Sequence, residues 1–249
     1  MKPEETGWWT EFFDDFRPAF GIIDKKTTNA EVKYLIAKLK LKPGSTFLDC
    51  PCGIGRVSIP LCQKGINVTG VDITKSYLEE LQNKVIRNKL SIKTMHSDMR
   101  KINFDSQFDA GGNLWTSFGF FKEESNNFLV LKKMYKALKP GGKFVLHVIN
   151  RDWLIANYVP KGWFNIGDLK IVEDRSFDFR TSINHCIWYF IKGGQEKSFN
   201  VTIRAYSFHE LVSMFEKVGF VDIEGYGSIK DEPISQQNRM MWVFGTKAK

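Results

Sequence analysis

The chain has 249 residues, 43% of them hydrophobic and 14% aromatic, and a formal net charge of +8. This length is sufficient for one α/β domain with a sizeable core. No run of about 18 uncharged apolar residues occurs, which excludes a membrane-spanning helix, and the first residues lack the apolar segment of a secretion signal. We therefore expect a cytoplasmic protein with no membrane partner. The positive charge is compatible with a nucleic-acid partner, but the lysines are scattered and form no basic tail.

The four cysteines follow no metal-binding or redox pattern. Their spacing matches neither a C-x-x-C pair nor a zinc ligand set, so we predict no metal site. We expect the four thiols to pack in the core or in loops: Cys50, Cys52, Cys62 and Cys186.

Aromatic residues at helical spacing lie near the start of the chain. Trp9 and Phe12 belong to a pattern that predicts a helix. Pro18 is expected to end this helix, because proline lacks an N–H and fixes its φ angle. Together with Trp8, these aromatic side chains are predicted to fold over a ligand as a lid formed by residues 1–28.

Apolar runs alternate with amphipathic segments between residues 30 and 150. This alternation predicts a parallel sheet with helices on both faces. Strands are expected at 46–49, 67–71, 92–96, 108–113 and 143–149. Helices are expected at 30–41, with Asn29 as the predicted N-cap, and at 56–64, 75–88 and 123–138.

The pattern changes after Asn150. Three β-rich segments follow, and Lys192-Gly-Gly-Gln195 is a hairpin signal between the second and the third. The three segments are at 168–178, 181–192 and 197–206. We expect them to form an inserted antiparallel β region that serves either as a lid or as a dimer surface. A helix capped by Ser207 and two further strands, at 221–226 and 240–246, complete the predicted sheet.

The most specific pattern lies at the end of the first predicted strand. Asp49 ends this strand and leads into a loop with Gly53 and Gly55, which opens a helix. Glycines let a backbone approach a ligand closely, and a helix N-terminus adds free N–H donors. A second acid, Asp72, ends the next strand, at roughly the 20-residue separation expected of a ribose-binding acid. The pattern predicts an adenosine-containing cofactor.

Leu48-Asp-Cys-Pro-Cys-Gly-Ile-Gly-Arg56 resembles the first motif of the class I S-adenosylmethionine-dependent methyltransferases, an acid followed by G-x-G-x-G. Pro51 stands where that family usually has its first glycine, so this position offers no N–H to a cofactor. The later landmarks of the family follow in the expected order: Asp72, Ser97-Asp-Met99, Phe108-Asp109 and Leu138-Lys-Pro-Gly-Gly142. The resemblance implies S-adenosylmethionine as cofactor and S-adenosylhomocysteine as product.

The same resemblance implies a fold. We expect a Rossmann-like, doubly wound, mostly parallel seven-stranded sheet whose last strand is antiparallel, with an inserted antiparallel β region. The chain is predicted to form one domain over residues 1–249. Its expected parts are the lid at 1–28, a cofactor-binding core at 29–150, an inserted β cap at 151–206 and the completion of the sheet at 207–249.

The resemblance also implies roles for individual residues. Asp49 is expected to organise the loop and the cofactor's ammonium group, Asp72 to accept from the ribose hydroxyls, and Asp98 to accept from the adenine amino group. The alternatives are a turn acid for Asp49 and an N-cap for Asp98. The predicted cofactor site consists of Trp9, Asp49, Cys50, Cys52, Gly53, Gly55, Asp72, Ile73, Asp98, Met99, Asn113 and Leu114.

The acceptor pocket is predicted from topology, because ligands of open α/β sheets bind beyond the carboxyl ends of the strands. The sequence indicates no catalytic base, and His147, inside a strand, is predicted to be a core residue. A carboxylate or phosphate on the acceptor would suit Arg151, Arg175, Arg180 or Arg204. The candidate acceptor residues are Trp115, Ser117, Asn150, Arg151, Arg204 and Tyr206.

The leading hypothesis is a methyltransferase that acts on an N or O atom of a small molecule by in-line displacement, as a monomer or a homodimer. The second hypothesis is an RNA methyltransferase, supported by the net charge of +8. An NAD-dependent oxidoreductase is weakened by Ser58 at the third glycine position of the dinucleotide fingerprint. A non-catalytic cofactor-binding protein is the alternative from another class.

Overall fold

The structure, a computed structural model, describes residues 7–249 and contains two sheets. The larger sheet has the strand order β10-β11-β5-β4-β1-β2-β3. Its strands are β1 (Thr46–Asp49), β2 (Asn67–Asp72), β3 (Lys93–His96), β4 (Phe108–Asn113), β5 (Leu138–Ile149), β10 (Phe220–Tyr226) and β11 (Met240–Lys247). The smaller sheet has the order β6-β7-β8-β9, with β6 (Lys161–Ile166), β7 (Leu169–Asp178), β8 (Ile183–Lys192) and β9 (Gln195–Arg204).

Seven α-helices lie within the described part of the chain. They are α1 (Trp9–Phe16), α2 (Lys25–Lys38), α3 (Ser58–Gln63), α4 (Lys75–Arg87), α5 (Glu124–Ala137), α6 (Arg151–Ala156) and α7 (Phe208–Val218). A 3₁₀ helix, Arg17–Gly21, contains Pro18 and follows α1 directly. The predicted end of the first helix at this proline is therefore confirmed. No described helix combines the length and apolar character needed to cross a bilayer.

The large sheet has the predicted Rossmann-like topology. Neighbouring strands from β5 to β3 are parallel, whereas β11 is antiparallel to both β5 and β10. The order of the parallel strands reverses between β1 and β4, which pair with each other. A crevice forms at such a switch point, beyond the carboxyl ends of the strands.

The core lies on both faces of this sheet. Along β1, Leu48 belongs to the apolar cluster on one face and Phe47 to the cluster on the other, and both side chains are fully buried. Successive side chains of a strand point to opposite faces. Helices α5 and α7 contribute to the first cluster, and α2, α3 and α4 to the second. Double coverage explains why these strands read as continuous apolar runs.

Some predicted boundaries are wrong, for local reasons. The second helix begins at Lys25, because Asp24 caps it and accepts from the backbone N–H of Thr27 at 2.6 Å. Asn29 therefore lies inside that helix instead of capping it. β5 begins at Leu138, five residues before the predicted start, and β6 and α6 were not predicted at all. Other local predictions are confirmed, including the N-cap at Ser207, which forms a capping box with Glu210, and the hairpin between β8 and β9.

The small sheet and α1 pack against each other through aromatic side chains. Phe12 lies in an apolar cluster with residues of β7, β8 and β9, and its ring meets Trp188 edge-on at 5.5 Å. On the opposite side, the Tyr77 hydroxyl of α4 donates to the carbonyl of Phe13. Arg17 forms a two-point ion pair with Glu80 of α4. The N-terminal segment thus connects the inserted sheet to the large sheet's helices.

Candidate functional site

A cavity of about 1260 Å³ opens at the carboxyl ends of β1, β2, β4 and β5. Side chains of α1 and of the inserted sheet, among them Phe12 and Trp188, form its other wall. Gly55 and Asn113 are absent from its lining. The other ten residues predicted to bind the cofactor line it: Trp9, Asp49, Cys50, Cys52, Gly53, Asp72, Ile73, Asp98, Met99 and Leu114.

Asp72 is a buried carboxylate with spare acceptor capacity. It is 6% exposed, and burial raises its pKa. Its oxygens accept from the backbone N–H groups of Gly53 at 2.7 Å and Thr74 at 2.8 Å. An ionised carboxylate offers about four lone-pair positions. The two that remain match a pair of ribose hydroxyls, which supports the predicted role.

Asp49 carries a second buried carboxylate into the same cavity. It is 2% exposed and accepts a hydrogen bond from the Ser58 hydroxyl at 2.5 Å. Burial raises the pKa of Asp49 to about 7, and the negative charge of Asp72 acts in the same direction. Two acids that lack a full complement of cations favour a positively charged ligand. The ammonium and sulfonium groups of S-adenosylmethionine fit this requirement.

The loop after β1 needs its glycines for different reasons. Gly53 has a φ of +54°, and a Cβ there would lie 3.1 Å from the ring of Phe20. Gly55 has a φ of +82°, and a Cβ would lie 2.3 Å from Leu81 of α4. Gly55 therefore permits helix packing, whereas a direct ligand contact was expected. The thiols of Cys50 and Cys52 are buried, which raises their pKa and suits a packing role.

Asp98 is already engaged by a neighbour. The Arg100 guanidinium contacts both carboxylate oxygens, the shortest contact being 2.6 Å, and the Arg100 backbone N–H donates to Oδ1 at 2.8 Å. The contact with the Arg100 backbone N–H is of the capping type, as in the N-cap alternative for Asp98. The adenine contact of Asp98 stays a prediction, as does that of Met99.

Asn113, at the end of β4, provides a further sign of a missing donor. Its side chain is fully buried, and its amide nitrogen donates to the carbonyl of Ser117 at 3.3 Å. Its Oδ1 has no hydrogen-bond partner among residues 7–249. A buried acceptor without a partner is costly. Asn113 does not line the cavity, however, so its contact with the cofactor stays a prediction.

Four of the six candidate acceptor residues lie outside the cavity lining, which corrects their expected role. Arg151 donates to Glu210 at 2.8 Å, and Arg204 donates to the other oxygen of Glu210 at 2.9 Å. The Tyr206 hydroxyl donates to Glu124 at 3.0 Å. Asn150 caps α6 and donates to the carbonyls of Ser235 and Asn238. Trp115 and Ser117 do line the cavity.

Glu210 should therefore matter for stability and not for methyl transfer. Glu210→Ala removes the capping box of α7 and one ion-pair partner each of Arg151 and Arg204, which keep Asp152 and Glu124. We expect a loss of about 1–2 kcal/mol of unfolding free energy, measured by urea denaturation. Glu216→Ala, on the exposed side of the same helix, is the matched control. If Glu210→Ala has unchanged stability and reduced methyl transfer, the predicted role of Arg151 and Arg204 in acceptor binding would be supported instead.

His147 was predicted to be a core residue. It is buried, but it also lines the cavity. It is 4% exposed and stacks on Trp242 with ring centroids 3.8 Å apart. Burial and the charge of Arg56 lower its pKa to about 3. The imidazole is therefore neutral at physiological pH. Its Nδ1 has no partner within the described chain.

The sequence reasoning missed most residues at the inserted-sheet end of the cavity. Arg175 lines the cavity there, whereas Arg180 is exposed and pairs with Asp178. The alternation of Leu169, Ile171 and Glu173 along β7 was the available signal for an inward-facing acid. The missed lining residues at this end include Trp153, Tyr158, Glu173, Asn184, Trp188 and Arg239.

Comparisons with known proteins indicate a methyltransferase. Residues 47–142 match the methyltransferase domain family. The Bacillus subtilis (strain 168) protein YqeM, whose name places it among the methyltransferases, is 29% identical over 228 residues, 87% of this chain and 89% of that protein. The ubiquinone biosynthesis O-methyltransferase of Coxiella burnetii is 29% identical over 143 residues, 53% of this chain and 59% of that protein.

A solved structure extends the agreement to the whole fold. The S-adenosylmethionine-dependent methyltransferase from Clostridium acetobutylicum ATCC 824 superposes with a TM-score of 0.77 and 15% identity, over 98% of this chain and 100% of that one. The fold is thus shared along nearly the full length, including the inserted sheet. Residues 47–142 form a methyltransferase domain, and the relatives and the shared fold together support a class I S-adenosylmethionine-dependent methyltransferase with S-adenosylmethionine as its cofactor.

Proposed function

We propose that this enzyme methylates a nitrogen or oxygen atom of a small molecule. The observation that carries the proposal is the covered cavity, because α1 and the inserted sheet lie over the carboxyl ends of the strands. A cavity lined mainly by apolar and aromatic side chains is typical of small-molecule sites. The name of the Coxiella relative, an O-methyltransferase of ubiquinone biosynthesis, is consistent with a small-molecule acceptor.

The residues of the cavity would hold the cofactor and orient the acceptor. S-adenosylmethionine supplies an activated methyl group on a positively charged sulfur. Asp72 would hold the ribose and Asp49 would face the ammonium group. Trp9, Phe13 and Phe120 would exclude water from the reacting atoms. Much of the rate of such a reaction comes from positioning, since an in-line approach at about 3–3.5 Å is needed.

An RNA methyltransferase remains the second candidate, and its support is the net charge of +8. The covered cavity argues against it, because a nucleotide within a polymer must reach the methyl group past α1. The methyltransferase domain at residues 47–142 and the methyltransferase relatives argue against a dehydrogenase and against a non-catalytic protein. A cytoplasmic location and a monomeric or homodimeric state stay predictions from the sequence.

Thermal unfolding with S-adenosylhomocysteine tests the cofactor site first. A ligand at 100 times its Kd adds about 2.7 kcal/mol, which corresponds to roughly 5–10 °C in Tm for a chain of this size. NADH at the same concentration is the control and should leave Tm unchanged. A shift with NADH alone would contradict the proposed cofactor.

The acceptor class is tested by the transfer of labelled methyl groups from S-adenosylmethionine into a cell extract. We expect label in the small-molecule fraction and none above background in the RNA and protein fractions. Label in RNA would favour the second candidate. RNA binding is then measured at increasing salt concentration, because binding to a polyanion weakens steeply as the salt concentration rises.

A further inference from the structure

Glu173 is an acid on the inner face of the inserted sheet. It lies on β7, directly opposite Gly162 of β6 and Trp188 of β8, and the next residue across the sheet is Phe199. Cross-strand partners share a face, so Glu173 is surrounded by aromatic and aliphatic neighbours. It is the one acid on the inner face of β6–β9. The residue is 6% exposed and lines the cavity.

The hydrogen bonds of Glu173 leave part of its carboxylate available. Arg175 donates from Nη2 to Oε2 of Glu173. The other terminal nitrogen of Arg175 donates to the carbonyl of Val159 at 2.9 Å, so the segment before β6 also holds this arginine. Within residues 7–249 no donor other than Arg175 bonds the Glu173 carboxylate. Oε1 thus has no donor from these residues, and a ligand in the cavity that Glu173 lines can donate to it.

The charges around Glu173 select the type of donor. Arg239 lines the same end of the cavity, attracts Glu173 and lies over the ring of Trp153 at 5.5 Å. Arg239 forms no salt bridge with any described carboxylate. Two guanidinium groups against one carboxylate leave an excess of positive charge, which disfavours a cationic amine. A neutral hydroxyl can donate to Oε1 without that penalty.

The walls beside Glu173 are flat and apolar. Tyr158, Trp153 and Trp188 line the cavity around it. Aromatic side chains bury large areas and stack well on planar rings. A ring-bearing ligand with a hydroxyl group therefore matches both the walls and the free oxygen.

We propose that Glu173 binds the hydroxyl group of a neutral, ring-bearing acceptor such as a phenol, and that Arg175 positions the Glu173 carboxylate for this contact. The inference rests on the proposed function and narrows it to acceptors that carry a hydroxyl. Glu173 is thus a specificity-determining residue, on an element separate from those that hold the cofactor.

Three small probes test this inference in the presence of saturating S-adenosylhomocysteine. They are 4-cresol, 4-methylanisole, which lacks the hydroxyl hydrogen, and 4-methylbenzylamine, which is cationic at pH 7.5. Cresol stays neutral at this pH, because a phenol of the tyrosine type has a pKa of about 10. Dissociation constants are measured by ligand-observed NMR. We expect the full-length protein to bind cresol about tenfold or more tightly than either other probe.

Two substitutions at Glu173 assign the preference to this side chain. Glu173→Leu should remove the preference for cresol over methylanisole, and Glu173→Gln, which keeps an acceptor oxygen, should reduce it. Glu196→Gln, an exposed position of β9 on the other face, is the control and should keep it. Retained binding of S-adenosylhomocysteine shows that each variant is folded. Equal affinities for the three probes, no binding of any, or an unchanged preference in Glu173→Leu would overturn the inference. Failure of the wild type to bind S-adenosylhomocysteine would instead contradict the cofactor site.

Discussion

Asp72→Ala is expected to weaken binding of S-adenosylhomocysteine by about 100-fold or more. Two hydrogen bonds from ribose hydroxyls to a carboxylate would be lost, each contributing about 1.5–3 kcal/mol. The same substitution removes the acceptor for the backbone N–H groups of Gly53 and Thr74. The loop after β1 therefore loses one of its contacts with β2 and keeps the hydrogen bond from the Cys52 N–H to the Val71 carbonyl. Isothermal titration measures the affinity.

The control for this experiment is Asp105→Ala, which removes an exposed acid with a long ion pair to Lys136. It should bind S-adenosylhomocysteine with wild-type affinity. Asp72→Asn keeps one acceptor oxygen and should fall between the wild type and the alanine variant. If Asp72→Ala is folded and binds with unchanged affinity, the assignment of the ribose site to β2 is wrong.

Asp49→Asn is expected to stabilise the protein without cofactor while weakening its affinity for S-adenosylmethionine. Burial raises the pKa of Asp49 to about 7. A carboxyl that binds its proton more tightly when folded lowers stability as pH rises from its unfolded pKa, near 4, to about 7. Asparagine has no such ionisation and still accepts from Ser58. At pH 8 we expect Asp49→Asn to gain about 2–4 kcal/mol.

The pH dependence of Tm measures this effect. The difference between Asp49→Asn and the wild type should be small at pH 4.5 and should grow until about pH 7, with no further growth above it. Affinity for S-adenosylmethionine at pH 8 should fall at least tenfold, because the carboxylate is expected to face the ammonium group. A Tm difference that is independent of pH would show that Asp49 is ionised throughout. Together, the Tm difference and the affinity for S-adenosylmethionine test whether Asp49 lowers the stability of the free protein and strengthens cofactor binding.

The sequence predicted the part of the fold in which local pattern and burial coincide. The strands at 46–49 and 108–113 match the structure residue for residue, since each is bounded by a turn and covered on both faces. The strand β6 was missed because Trp163 and Asn165 face outward and interrupt the apolar pattern. Its pairing with β7 through the turn at Gly167 is a tertiary feature that composition does not reveal.

The residues of the candidate site also fall into two groups, those that the sequence predicted correctly and those that it misplaced or missed. Asp49 and Asp72 were identified because a strand end and a loop determine where their side chains must lie. Arg151 and Arg204 were misplaced because a position next to a strand end does not determine side-chain direction, and Glu210 draws both away from the cavity. Glu173 lies on the small sheet and Arg239 directly precedes β11 of the large sheet, so the two meet only at the cavity between the sheets. No spacing rule in one sequence identifies such a pair.

The inserted segment leaves the large sheet and returns to it at one point. Asn150 and Tyr206 form a parallel β-bridge, and the N–H of Arg151 donates to the carbonyl of Tyr206 at 3.2 Å. The cost of closing a loop grows only slowly with its length, and here the closure is held by the core. The segment between these two anchors also packs against α1, so the two form one exchangeable unit. A chimaera that receives another enzyme's segment at this junction together with its α1 should keep the cofactor-binding residues of β1 and β2 and acquire a different acceptor range.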